Sequence, residues 1–199
     1  KALSAQYEQL FNEYKKGTKI NIKEEIVIHL AGKAHDLRKS NNFNEYYKVN
    51  TELTKQLYDS FLCSTATKFI IISSVKAITD DYLGVITEQT PESPTTDYGI
   101  SKLAADRYIL SRELPFGKSV YILRPSLITG PGVKGNLRRL YNFSKSPFSW
   151  FLSSINNKKS YCNILNLCFV IQELINRNDI EGGIYLIADD EPLSTSDVV

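Results

Sequence analysis

Three short β-rich apolar runs constrain what this chain can fold into: Glu25 to Ala31 (EIVIHLA), Lys68 to Ser74 (KFIIISS) and Ser119 to Pro125 (SVYILRP). Each has the length of a single buried strand, and a fourth run follows at Gly183 to Ala188 (GIYLIA). Between them, apolar residues recur at helical spacing. Tyr46, Val49, Leu53, Leu57 and Phe61 predict a long helix, and Asn163 to Ile175 a strongly apolar one. A Pro/Thr/Asp loop from Gln89 to Asp97 leads into a helix through Leu103, Ala104 and Tyr108, with Asp97 read as its N-cap. Leu3, Tyr7, Leu10, Phe11 and Tyr14 predict a further helix, and Asn136 to Phe143 a short basic one. Strands alternating with helices predict an α/β fold, a parallel sheet covered on both faces. A shift in composition near Gly130 marks where a small second lobe would begin.

Composition excludes several classes. A hydrophobic fraction of 42%, a charged fraction of 23% and a net charge of +2 describe a globular domain, not a disordered, collagenous or coiled-coil chain. The 199 residues suffice for one large domain, or a domain plus a small lobe. The longest apolar runs fall well below the ~20 residues of a membrane span, and no signal peptide opens the sequence. Cys63, Cys162 and Cys168 lack metal-ligand spacing and read as reduced, buried thiols of a cytoplasmic protein. His29 reads as a core residue and His35 as a loop residue, and no metal site is predicted. The sequence has no methionine, so the expectation is a piece of a longer product.

Charge is unevenly placed. Residues 114 to 172 carry eight basic groups (Lys118, Arg124, Lys134, Arg138, Arg139, Lys145, Lys158, Lys159) and no acidic one. Such a stretch suggests an anionic partner, either a phosphorylated small molecule or nucleic acid. Aromatic and basic residues are not interleaved along one strand, which counts against nucleic acid.

Open α/β sheets bind ligands at the carboxyl ends of their strands. Here those ends read Ala31-Gly32-Lys33, Ser73-Ser74 and Arg124-Pro125. Tyr98 and Lys102 form Tyr-x-x-x-Lys, which on a helix puts an ammonium one turn from a phenol. A cation so placed stabilises the phenolate and lowers the tyrosine pKa, suiting it to proton transfer on a hydroxyl or carbonyl. Tyr141 and Lys145 repeat the spacing, but no strand-end hydroxyl accompanies them. Gly130-Pro131-Gly132-Val133-Lys134-Gly135 matches G-x-G-x-x-G in letters only. The dinucleotide fingerprint wants an acidic residue about 20 positions on, and none occurs before Glu173.

The residues then carry a resemblance. His29-Leu30-Ala31-Gly32, Val49-Asn50-Thr51, Phe69 to Ser74, Tyr98-Gly99-Ile100-Ser101-Lys102, and Leu123-Arg124-Pro125 followed by Gly130-Pro131-Gly132, come in the order found in extended short-chain dehydrogenases/reductases. The sequence resembles their NAD-dependent epimerase/dehydratase group, which acts on nucleotide sugars. Gly132 to Leu137, Lys159-Ser160-Tyr161 and Asp189 to Thr195 are similar to the UDP-sugar 4-epimerase and 4-ketoreductase branch.

The resemblance implies a Rossmann-like doubly wound parallel sheet with a small C-terminal substrate-binding lobe. Residues 1–130 would form the dinucleotide-binding core and 131–199 mainly the substrate-binding region, with a strand near 183–188. It implies an enzyme using NAD, with NADP left open. Tyr98 would be the acid/base on the sugar 4-hydroxyl, Lys102 would lower its pKa and hold the nicotinamide ribose, and Ser74 would bond the same sugar oxygen. Ala31, Gly32, Lys33, Asn50, Ser73 and Pro125 would line the dinucleotide. Lys76, Asn136, Leu137 and Lys159 would face a UDP-sugar. The helices around Tyr46 to Phe61 and Tyr98 to Tyr108 would pair in a homodimer, with Tyr46, Tyr47, Tyr58 and Tyr108 as surplus aromatic surface; nucleic acid and membrane are not implied partners.

Four departures from the family pattern stand out. The glycine-rich loop and first strand are absent from the sequence, which keeps open a catalytically impaired nucleotide-sugar-binding relative. Lys159 stands where arginine is usual, and loses the bidentate grip on phosphate. Leu127 stands where many epimerases have a sugar-contacting asparagine. Val75 and Lys76 follow Ser74 where 4,6-dehydratases carry an Asp-Glu pair, which argues against a dehydratase.

Overall fold

The computed structural model describes residues 20–34, 43–132, 140, 142–145 and 157–198. The helix expected over Leu3 to Tyr14, His35, Asn136, Leu137 and Tyr141 lie outside the described residues. The elements run β1 (Ile26–His29), α1 (Phe43–Tyr46), a π-helical segment (Tyr47–Glu52) and α2 (Leu53–Leu62). They continue with β2 (Lys68–Ile72), a 3₁₀ turn (Val75–Ala77), α3 (Asp97–Leu110), β3 (Ser119–Pro125) and β4 (Leu127–Thr129). Last come β5 (Tyr161–Asn163), α4 (Ile164–Asn176), β6 (Gly183–Ile187) and α5 (Thr195–Val198).

The four predicted runs form one sheet in the order β1-β2-β3-β6. β1 and β2 are parallel, with Ile26 opposite Lys68 and His29 opposite Ile71. β2 and β3 are parallel, with Lys68 opposite Ser119 and Ile72 opposite Leu123. Parallel strands joined through helical segments make the fold Rossmann-like. Phe69 and Ile71 of β2 and Val120 and Ile122 of β3 pack with Leu57, Tyr58 and Phe61 of α2 and Ile109 of α3. The alternate positions Ile70, Tyr121 and Leu123 are buried as well. Both faces of β2 and β3 are therefore apolar, which explains runs without alternation.

The long helix is continuous from residue 43 to 62, but its middle is wound as a π-helix. Within that segment the neighbours Asn50 and Thr51 are both buried. The chain divides into two compact units, one through Leu123 with Glu181–Tyr185, the other from Arg124 to Ile180 with the residues from Leu186 onward. In the second, β4 and β5 pair in parallel. Asn163 caps α4 by accepting the Leu165 N–H at 2.9 Å, while the Asp189 carboxylate takes the Asn163 N–H at 3.0 Å. Sequence reading missed β4 and β5, which are three residues each and too short for a periodic signal.

Two expectations change. The free thiols Cys63 and Cys168 are exposed, and only Cys162 is buried. Tyr58 is a core residue packed edge-on against Phe69, so it offers no surface to a second subunit. Among the described residues no helix is long and apolar enough to cross a membrane.

Candidate active site

The site is built on the start of α3. Its N-cap is Thr96, one residue before the expected Asp97. Thr96 has the extended backbone a cap needs, and its hydroxyl accepts the Gly99 N–H at 3.1 Å. Asp80 fixes the approach. Its carboxylate accepts from the backbone N–H of Thr95 at 2.7 Å and of Thr96 at 2.8 Å, and from both threonine hydroxyls. Burial alone would raise its pKa, but these hydrogen bonds outweigh it and hold the group at about 2. A Cβ on Gly99 would stand 2.5 Å from the Lys76 backbone carbonyl oxygen, so only glycine lets α3 pack this closely on the 3₁₀ turn.

The end of β2 meets one face of α3 at three successive residues. The Lys102 ammonium donates to the Ile72 carbonyl at 2.8 Å. The Ser73 hydroxyl donates to Asp106 Oδ2 at 2.8 Å. Ser74 comes next, and its side chain acts on the Tyr98 phenol, favouring the phenolate. Tyr98, Lys102 and Asp106 are spaced four residues apart, so they share one helix face.

The π-helical segment ties this face to the end of β1. Asn50, 1% exposed, accepts the Lys33 N–H at 2.7 Å and donates to the Lys33 carbonyl at 3.0 Å. It also donates to Ser101 Oγ at 2.9 Å. Ser101 in turn donates to the Tyr98 carbonyl, and Thr51 donates to the Ser101 carbonyl, both at 2.8 Å. Behind them Thr54 donates to the Asn50 carbonyl at 2.8 Å, which uses its one hydrogen. His29 Nε2, 2.8 Å from that hydroxyl, is therefore the protonated ring nitrogen. A Cβ on Gly32 would lie 3.1 Å from Lys102 Nζ and 3.4 Å from Asn50 Oδ1, so the glycine keeps the ammonium uncrowded.

Electrostatics follow burial. Lys102 is brought down to about 8 by desolvation, which the Asp106 carboxylate partly offsets. His29 is held neutral, at about 3, by burial and then by the Lys102 charge. Tyr98 is pushed up, not down as the motif suggests. Its burial dominates, Asp106 and Tyr46 add to it, and the Ser74 side chain opposes. The Lys102 ammonium is turned to the Ile72 carbonyl instead.

The structure thus gathers Gly32, Lys33, Asn50, Ser73, Ser74, Tyr98 and Lys102 around two strand ends. Ala31 sits beside Gly32, half-buried. Lys33 also pairs with Glu45 and lies 5.2 Å from the centre of the Tyr46 ring, which stands edge-on to Tyr98. Lys76 is exposed, 3.6 Å from Asp80. Pro125 is buried at the end of β3. Lys159 is exposed, its backbone paired with Leu193. Sequence reasoning missed Asp106, Thr51 and Ser101. The spacing of four from Lys102 to Asp106 was the available signal for the first.

A parallel Rossmann-like sheet with a Tyr-x-x-x-Lys pair at its strand ends defines a class of nucleotide-dependent α/β proteins. The model of the NAD dependent epimerase/dehydratase family matches residues 15–167, and the chain belongs to that family. It is 31% identical to UDP-glucose 4-epimerase of Vibrio cholerae over 179 residues, 87% of this chain. The match covers 55% of that enzyme, so the chain spans little more than half the relative's length. A second relative, dTDP-glucose 4,6-dehydratase of Streptomyces griseus, is 28% identical over 58% of this chain and 35% of its own. Among solved structures, UDP-glucuronic acid 4-epimerase from Bacillus cereus in complex with NAD superposes with a TM-score of 0.72 at 20% identity, covering 88% of this chain and 57% of that one.

Proposed function

We propose that the chain is the catalytic part of an NAD-dependent UDP-sugar 4-epimerase or 4-ketoreductase. The observation that carries this reading is the Tyr98 phenol one helical turn from the buried Lys102, whose ammonium the Ile72 carbonyl holds at the end of β2. The open cradle at Gly32, walled by Lys102 and Asn50, suits a dinucleotide at the end of β1. Ala31, Gly32, Lys33, Asn50, Ser73 and Pro125 are the residues that would hold it. Bound there, NAD would supply the hydride chemistry at the sugar carbon. The protein's own work is to move a proton. Tyr98, neutral at pH 7 because burial raises its pKa, gives its proton to a sugar carbonyl oxygen held by Ser74. Giving that proton leaves a phenolate, which the Lys102 charge stabilises, and in the reverse direction this phenolate takes back the hydroxyl proton.

The relatives include a dehydratase, but Val75 and Lys76 beside Ser74 carry no carboxyl group to expel water. That favours the epimerase or reductase reading. Lys159, with Lys76, Asn136 and Leu137, would face the UDP portion. Incubation with UDP-sugars, with and without reduced cofactor, followed by NMR of the products, tests the proposal. Interconverted 4-epimers support epimerisation, and a 4-alcohol formed only with reduced cofactor supports reduction. Absence of turnover with nucleotide still bound would leave the impaired relative.

A further inference from the structure

The face of α3 that carries Tyr98 and Lys102 runs on to Asp106, which is fully buried. The proton transfer just described does not use it. A buried carboxylate is costly unless paired and hydrogen-bonded, so its retention needs a reason. Its surroundings supply one. Ser73 donates to it at 2.8 Å, and Ser73 stands between Ile72, whose carbonyl holds Lys102, and Ser74, whose side chain acts on Tyr98. Asp106 is thus the second tie, after the Lys102 ammonium, between this face of α3 and the end of β2.

We propose that Asp106 is the positioning residue of the Tyr98–Lys102 pair: through Ser73 it fixes the end of β2, and its negative charge holds the Lys102 ammonium in place. The charged and titratable groups around the pair agree with this. Lys102 meets neutral His29 from β1, Asn50 from the π-helical segment and the Ile72 carbonyl from β2. Tyr98 meets the Tyr46 ring from α1 and Ser74. Asp106 is the carboxylate that acts on both. Burial works against the ammonium, and Asp106 supports it. The same charge opposes ionisation of Tyr98, so removing it should ease loss of both protons.

The inference rests on Tyr98 and Lys102 being the catalytic pair, and its test separates from that reading. Asp106→Asn and Asp106→Ser are both neutral and both able to accept from Ser73. The Lys102 ionisation is followed in the intact protein by carbon NMR of its ε-methylene, assigned with Lys102→Met. The midpoint, about 8 in the wild type, should fall by about one pH unit or more in either neutral variant, and Asp106→Glu should restore it. With a UDP-sugar turned over, both limbs of the kcat/KM–pH profile should move to lower pH in the neutral variants. A merely structural Asp106 would lower the rate at every pH and leave the limbs in place. An unmoved Lys102 midpoint in a folded neutral variant overturns the proposal. A moved midpoint in a protein that turns over no UDP-sugar overturns the enzymatic reading and leaves this one standing.

Discussion

The end of β2 and the basic stretch from residue 114 to 172 use charge in opposite ways. At the strand end, Lys102, Asp106 and Tyr98 come from one helix face onto consecutive residues of the chain, and Asp106 shifts the ionisation of the other two. In the basic stretch, eight cations without an acidic neighbour suggest one anion-binding surface. The described members do not behave as one. The Lys118 ammonium turns inward, donating to the carbonyls of Phe61 at 3.0 Å, Ser64 at 2.9 Å and Ala66 at 2.5 Å, with the Phe61 ring 4.5 Å away. Arg124 is buried in β3. Lys145, Lys158 and Lys159 are exposed. Net charge over a stretch of sequence is therefore a poor guide to a site. What matters is which carbonyl, ring or carboxylate the fold sets against each cation.

The strand-end region should break hardest when the phenol is lost. Tyr98→Phe keeps the ring and its edge-on packing with Tyr46 while removing the proton-transfer group. Turnover of a UDP-sugar should fall by about a hundredfold or more, with nucleotide affinity unchanged. Turnover near that of the wild type would remove Tyr98 from the mechanism.

The contrast also marks how far the sequence could be read. The strands were legible because β2 and β3 are buried on both faces, and a continuous run such as Phe69 to Ile72 has few other uses. The Tyr98, Lys102 and Ser74 cluster was legible because its spacing survives any change in surrounding loops. Asp106 was not, since a lone aspartate four residues past a lysine looks like a solvated helix pair, and only packing against Ser73 makes it a buried anchor. The direction of the Tyr98 shift was misread for a related reason. Sequence spacing puts a cation near, but burial and the Asp106 charge decide the sign. The π winding was also hidden, because Val49, Leu53 and Leu57 fit an ordinary helix equally well.

Within the basic stretch, Lys159 is the cation expected to matter for ligand. Its backbone is fixed by Leu193 and its side chain is exposed, so Lys159→Ala should leave the fold intact. UDP binding, followed by calorimetry, should weaken by about 1.5–3 kcal/mol, the range for a hydrogen bond to a charged group. An unchanged affinity would remove Lys159 from contact with the diphosphate.

His29 sharpens the buried side of the comparison. Its folded pKa of about 3 lies below the usual 6.5, so between these values the unfolded chain binds a proton that the folded one does not. Stability should therefore decline as pH falls below 6.5, by about 1.4 kcal/mol per pH unit. Asp80, held at about 2 against the usual 3.8, gives up its contribution only in more acidic solution. Urea unfolding between pH 6.5 and 5 thus isolates the histidine, and a His29→Asn variant should flatten that slope. A wild-type stability already flat across the window would mean that His29 accepts its proton in place.

The smallest effect separates the two roles of a lysine most sharply. Lys118 closes the C-terminal end of α2, where the last carbonyls lack helical partners and the helix dipole favours a cation. Burial pulls its pKa down, with the nearby Cys63 working the other way. The ammonium is partly exposed, so three carbonyl contacts do not add at full strength. Lys118→Ala should cost about 1 kcal/mol of stability by urea denaturation. UDP affinity should not move, since the side chain is spent on Phe61, Ser64 and Ala66. Lys159→Ala should give the mirror result, weaker binding at unchanged stability. If Lys118→Ala instead weakened UDP binding and left stability alone, the basic stretch would act as one surface after all, and the distinction drawn between its cations would fail.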